Sequence, residues 1–224
     1  RDHCVTGVQT CALPILPANA EFVLEGDVAP FERRVEGPFG DHFGHYSAAS
    51  PFPLFRIARV TRRRDAIYHG VIVGKPPQED QPLGDAVQEV TAPMLSLIHP
   101  EVRSVWAYYE AGFHNLLGVQ VHERYGREGL KAAFGLLGQG QLSLSKVVVL
   151  TGPEHDPRNP HDLLRALATH FEPSEDAHIL SETALDTLDF TSYRMHRGSK
   201  IILRSEEHTS ELQSHSDLVC RLLL

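Results

Sequence analysis

The chain has 224 residues, 42% apolar and 22% charged, with a formal net charge of −8. That is enough apolar material for one large domain or two small ones, and the acidic balance excludes the broad positive surface that binding a nucleic acid through its phosphates requires. No run of about 18 apolar residues occurs, so no membrane-spanning helix is predicted.

The two ends read differently from the middle. Residues 1–15, RDHCVTGVQTCALPI, have neither an amphipathic period nor the regions of a signal peptide. Residues 204–224, RSEEHTSELQSHSDLVCRLLL, break off a strand at Leu203. Both flanks resemble translated sequencing-adapter read-through and are expected to be non-native. They hold all three cysteines, Cys4, Cys11 and Cys220. The body between them therefore offers no disulfide framework, thiolate nucleophile or cysteine zinc cluster, and a reducing cytoplasm is the expected compartment.

In chain order, residues 20–28, 53–61 and 66–74 are short runs of branched and aromatic residues separated by Gly, Pro and charge, which predicts three antiparallel strands of a barrel or open sheet. Alternation in FRIARVT assigns Phe55, Ile57 and Val60 to a core and Arg56 and Arg59 to solvent. The run Arg62, Arg63, Arg64, closed by Asp65, reads as a solvated hairpin end. After a Pro-rich connection, Leu83, Val87, Val90 and Met94 recur at helical spacing, with Pro93 kinking or ending that helix and a domain junction near 95–100.

The second half alternates strand and helix. VRSVWAYYE and NLLGVQVHE read as strands, and residues 126–139 as a helix with Leu130, Phe134 and Leu137 on one face. KVVVLTG is a β-branched run of the kind found in buried parallel strands. NPHDLLRALATHF follows as a helix capped by Asn159 with Pro160 in its first turn. That order predicts a layered α/β domain.

One stretch carries candidate chemistry. In VEGPFGDHFGHYS, residues 35–47, Glu36 and Asp41 flank a Gly-Pro-Phe-Gly turn. Two carboxylates held at one place push one pKa up, and an acid still protonated near neutrality can donate a proton to a carbanion. Acids beside such a turn are also ordinary solvated turn residues. His42 and His45 follow without a metal-ligand spacing, so no metal site is assigned. GPEHDPRNP, residues 152–160, follows a buried strand but lacks phosphate-loop glycines and reads as a polar connection.

Taken together and in order, LPANAEFVLEGDV, EGPFGDHFGHYS, FPLFRIARVTRRRDAIYHGVIVGKPPQED and LGDAVQEVTAPML resemble the UbiD family of prenylated-FMN-dependent decarboxylases. The similarity continues through REGLKAAFGLLGQGQLSLSKVVVL to LDTLDFTSYRMHRGSKIIL, covering residues 16–203. The resemblance implies the α+β / α/β class: residues 16–95 as the end of an FMN-binding split β-barrel, and residues 96–203 as a C-terminal layered α/β oligomerisation domain. It implies reversible, non-oxidative decarboxylation of an aromatic or α,β-unsaturated carboxylic acid on prenylated FMN, with Mn2+ and K+ at the cofactor phosphate. A 4-hydroxybenzoate-type quinone precursor is the favoured substrate.

In the E-G-P-[FY]-G-[DE] segment of that family the later acid is the proton donor, here Asp41, and the earlier one, here Glu36, pairs with an arginine. The arginine and the metal- and phosphate-holding residues lie upstream in the family, so this chain is expected to lack them and to be inactive by itself, while the intact enzyme forms a homodimer or homohexamer. The family's acid-rich segment after the buried strand is TGPEHDP here. The alternative is a non-catalytic assembly module built on the same fold.

Overall fold

The computed structural model describes residues 16–206 apart from 76, 190, 192, 193 and 195. The two flanks expected to be non-native thus lie outside the described residues, except for Arg204, Ser205 and Glu206. Of the described residues, those up to Phe39 form one compact unit with Ala48–Val71. Gly40–Ser47 and the residues from Ile72 onward form the other.

The first unit is a long antiparallel hairpin of β1 (Phe22–Glu36) and β2 (Ser50–Arg62). No closed barrel forms among the described residues. Glu25 pairs with Arg59 while Gly26 pairs with Ile57, so Ala58 is an extra residue on β2. Such a bulge shifts the alternation by one position, which places Phe55, Ile57 and Val60 on one face opposite Val28, Gly26 and Leu24. That face is apolar but not buried: Phe55, Ile57 and Val60 are all exposed, because no second layer of this unit covers it. The core role expected for them is therefore corrected.

The third strand expected at 66–74 does not form either. A strand needs a neighbour to take its amide and carbonyl groups. Here the Ile67 N–H donates to Glu21 Oε2 and the Ile72 N–H to Glu79 Oε2, each at 3.0 Å, in place of a ladder.

The second unit is a five-stranded mixed sheet in the order β3-β4-β5-β7-β6, with helices on it. Its strands are β3 (Val102–Ala107), β4 (Leu116–Val121), β5 (Val147–Thr151), β6 (Ala177–Ala184) and β7 (Arg197–Ser205). The three central strands run parallel, and β3 and β6 are antiparallel edges. The helices are α1 (Asp80–Leu95), α2 (Glu128–Leu136), α3 (Pro160–His170) and the single turn α4 (Pro173–Asp176).

Alternation along the central strands fills both faces. Val148, Leu150 and Ile202 pack with Ala132, Ala133 and Leu136 of α2, whereas Val149 and Leu203 pack with Leu163 and Leu167 of α3. That is the covered parallel sheet its β-branched runs predict. Burying one such aliphatic side chain contributes about 1.5–3 kcal/mol.

Two helix faces differ from expectation. On α2 the buried side is Glu128, Gly129, Ala132, Ala133 and Leu136, with Leu130 and Leu137 packed against the core as expected, while Phe134 is exposed; the small residues let the helix close on the sheet. On α1 the stripe Leu83, Val87, Val90 and Met94 is exposed. The helix is instead tied to the edge strand by Gln88, whose Oε1 accepts from Ala107 N at 2.6 Å and whose Nε2 donates to Ala107 O at 3.1 Å. The helix runs on through Pro93 to Leu95.

The α3 start matches its sequence signals. Asn159 accepts from the His161 N–H at 3.0 Å, and Pro160 opens the helix. At the other end of the unit β7 runs two residues beyond Leu203, with Arg204 buried against Asp176 and Glu206 at 3.4 and 2.9 Å.

Candidate functional site

The two acids singled out in the sequence fall in different units. Glu36 is the last residue of β1, paired with Ser50 and exposed. Asp41 belongs to the sheet unit and is only 3% exposed. The loop around it is closed by backbone bonds, Asp41 N to His45 O and Gly44 N to Asp41 O, each at 3.1 Å. Asp41 Oδ1 accepts from Phe43 N at 2.8 Å, which holds the carboxylate against its own turn.

Phe43 fixes the loop to the rest of the unit. Its ring lies over Gly112, where a Cβ would come within 2.2 Å of the ring. Gly112 also has φ +79°, so the position needs glycine for both reasons. With Oδ1 satisfied, Asp41 Oδ2 is buried without a hydrogen-bond partner, and His45 Nε2 stands 3.7 Å from it. A buried oxygen of that kind is costly unless its charge is neutralised or a ligand meets it.

The next residue, His42, lines a cavity of about 710 Å³ walled by Leu83 and Val87 of α1 and by Val105 and Leu117 of the sheet. Asp80, His114 and Asp186 are its charged or titratable polar groups besides His42. His114 Nε2 stands 2.8 Å from Asp186 Oδ2. That bond, seconded by the Leu188 N–H, holds the Asp186 carboxyl below its ordinary range. Burial pulls the His42 imidazole below its usual value, against the opposing pull of Asp186, Asp41 and Asp80.

Tyr109 donates to Asp80 Oδ1 at 2.5 Å, and burial together with that bond pushes its hydroxyl up to about 12. The arrangement is an apolar chamber with a neutral-leaning imidazole and a paired carboxylate on its wall. It can hold a ring and handle a proton, as ligand sites of this type do.

His42 was visible in the sequence, but not as part of this cluster. Asp80, Tyr109, His114 and Asp186 were missed. They come from three separate segments, the start of α1, the β3–β4 connection and the β6–β7 connection, so no single motif spacing connects them. The triple Glu154, His155 and His170 was also overlooked, and its ligand atoms lie within 4.8 Å of one another.

Comparison with known proteins places the fold. The model for the 3-octaprenyl-4-hydroxybenzoate carboxy-lyase C-terminal domain matches residues 81–204, and that for the Rift-related domain of the same family matches residues 4–76. A Chlamydia pneumoniae protein named as a 4-hydroxybenzoate decarboxylase subunit is 44% identical over 182 residues, 81% of this chain and 31% of its own length. The closed form of Sedimentibacter hydroxybenzoicus vanillic acid decarboxylase superposes with a TM-score of 0.78 at 30% identity, covering 85% of this chain and 40% of that one. The UbiD-class enzyme HmfF from Pelotomaculum thermopropionicum in complex with FMN gives 0.67 at 27% identity, covering 85% and 42%. An evolved dimeric form of HmfF is in complex with prFMN, with a TM-score of 0.62 at 25% identity over 85% of this chain and 41% of that one. The chain spans about a third of the length of the curated relatives it matches. With its sheet unit and its hairpin matched by the two domains in their order, the chain belongs to the UbiD family of carboxy-lyases.

Proposed function

We propose that the protein containing this chain is a non-oxidative, prenylated-FMN-dependent decarboxylase of an aromatic or α,β-unsaturated carboxylic acid, a 4-hydroxybenzoate-type quinone precursor being the favoured substrate. Asp41 is the proton donor in this reading, and Glu36 pairs with the arginine that lies upstream in the family and sets the charge state of that network. The observation that carries it is the Asp41 carboxylate: buried, with one oxygen fixed by Phe43 N–H and the other without a hydrogen-bond partner. A general acid must present one oxygen to its substrate without a competing protein partner, and that second oxygen has no hydrogen-bond partner.

The orphaned oxygen is also what agrees with a flavin site on this chain, since a substrate bound beside the cofactor would give it the partner it lacks. The flavin supplies the electron sink for loss of CO2. Its phosphate, with Mn2+ and K+, is assigned to residues upstream in the family. FMN and prFMN in the HmfF structures support a flavin, and the name of the Chlamydia pneumoniae relative supports the substrate class. Assembly into a homodimer or homohexamer and a cytoplasmic location complete the proposal.

The test uses the complete protein reconstituted with prenylated FMN and follows exchange of labelled CO2 into 4-hydroxybenzoate. Asp41→Asn is expected to lower exchange by about 100-fold or more, the scale of a general acid, with the flavin spectrum unchanged. Asp41→Glu is expected to recover part of the rate. Wild-type exchange in the Asn variant would remove Asp41 from the role.

A further inference from the structure

Outside the cavity, a second group of side chains has the composition of a metal site. Glu154, His155 and His170 each offer one ligand atom, and the three atoms lie within 4.8 Å of one another. His155 Nε2 stands 3.5 Å from Glu154 Oε1, and the two imidazole rings are 6.0 Å apart between centroids.

Two further observations point to a ligand. His155 is only 6% exposed, yet its Nε2 has no hydrogen-bond partner. A buried nitrogen without a protein partner is one that a bound ion can satisfy. Gly152 is the second: a Cβ there would come 2.3 Å from Glu154 Oε1 and 2.5 Å from Oε2, so the carboxylate reaches its place only because that position is glycine.

The loop is also fixed before any ion arrives. Gln120 Nε2 donates to Pro153 O at 3.0 Å and to His155 O at 2.9 Å, and His155 N donates to Gly152 O at 3.2 Å. His170 comes from the last position of α3. The loop after β5 and the end of α3 thus supply ligands from two rigid elements, which is the preorganisation a site requires.

We infer that Glu154, His155 and His170 bind one divalent first-row transition-metal ion of the zinc type. Two imidazoles and one carboxylate suit Zn2+ or Co2+ better than a hard, oxygen-seeking cation. A tetrahedral ion sets nitrogen and oxygen ligands about 3.3 Å apart, close to the 3.5 Å between Glu154 and His155. Three protein ligands leave a fourth position for water, and the bound ion joins the β5 loop to α3.

The test is titration of the full 224-residue chain with Co2+, read by visible d–d absorption, followed by displacement with Zn2+. One equivalent is expected, without the thiolate-to-cobalt band that ligation by Cys4, Cys11 or Cys220 would produce. His170→Gln and His155→Gln are each expected to weaken binding about tenfold or more, and His178→Gln to leave it unchanged. Zn2+ should raise the melting temperature of the wild type and not of the two ligand variants. If His155→Gln fails to fold, His170→Gln at the end of the helix decides. No stoichiometric binding, a signal carried by thiolates, or unchanged affinity in His170→Gln would overturn the inference.

Discussion

The hairpin and the five-stranded unit are built from similar β-rich sequence and end in opposite states. In the hairpin, Leu24 and Ile57 are 52% and 51% exposed. In the sheet unit, Val119, Val148, Leu150 and Ile202 are fully buried. Alternation with branched residues suffices to form a strand, but burial needs a second layer on the apolar face. In the sheet unit α2 and α3 supply that layer on both sides. In the hairpin unit none of the described residues does.

The widest gap between the two regions is expected in the effect of truncating one side chain. Leu150→Ala should cost about 2–5 kcal/mol in urea unfolding, the range for a cavity opened in a packed core. Ile57→Ala should cost less than about 0.5 kcal/mol, as for an exposed position. Equal losses would break the comparison.

Acid separates the regions next. At the start of α2, Glu128 is fully buried, takes the Arg124 guanidinium, and accepts from Arg124 N at 2.8 Å. The guanidinium bond first, and the other attractions after it, hold its carboxyl at about 2, below the ordinary 4.5. A depressed carboxylate contributes stability that is present above its unfolded value and is lost as the pH falls through its folded one. The sheet unit should therefore weaken between pH 4.5 and about 2, and Glu128→Gln should flatten that limb in a pH series of unfolding curves. An unchanged limb in the variant would assign the acid loss elsewhere.

The smallest effect within the sheet unit is expected at the start of α3. Asn159→Ala removes the acceptor of the His161 N–H and should cost about 1 kcal/mol. Asn159→Asp should restore most of it.

Legibility followed the range of the signal. The α3 start was readable because Asn159 and Pro160 act within one turn. The buried strand β5 was readable because covered parallel strands carry unbroken apolar runs. The α2 face was not, because Phe134 outweighs Ala132 and Ala133 in any apolar count while the small residues make the close contact. Strand 66–74 failed because propensity is blind to whether a partner edge exists. At the candidate site, Asp41 could be found from its Gly-Pro turn. The His114–Asp186 pair could not, since only tertiary folding brings those segments together. Glu154 and His155 stood in plain view, but their ring of ligands closes only when α3 returns His170 to them.

The sheet order has a consequence for synthesis. β7 is the last of the described strands in sequence, yet it lies between β5 and β6. Until residues 197–205 have left the ribosome, β5 keeps one open edge and β6 has no partner among the described strands. The nascent chain must therefore carry an unpaired parallel edge until β7 is made, a state in which edge-to-edge association competes with folding. The arrival of one nine-residue strand closes both edges at once.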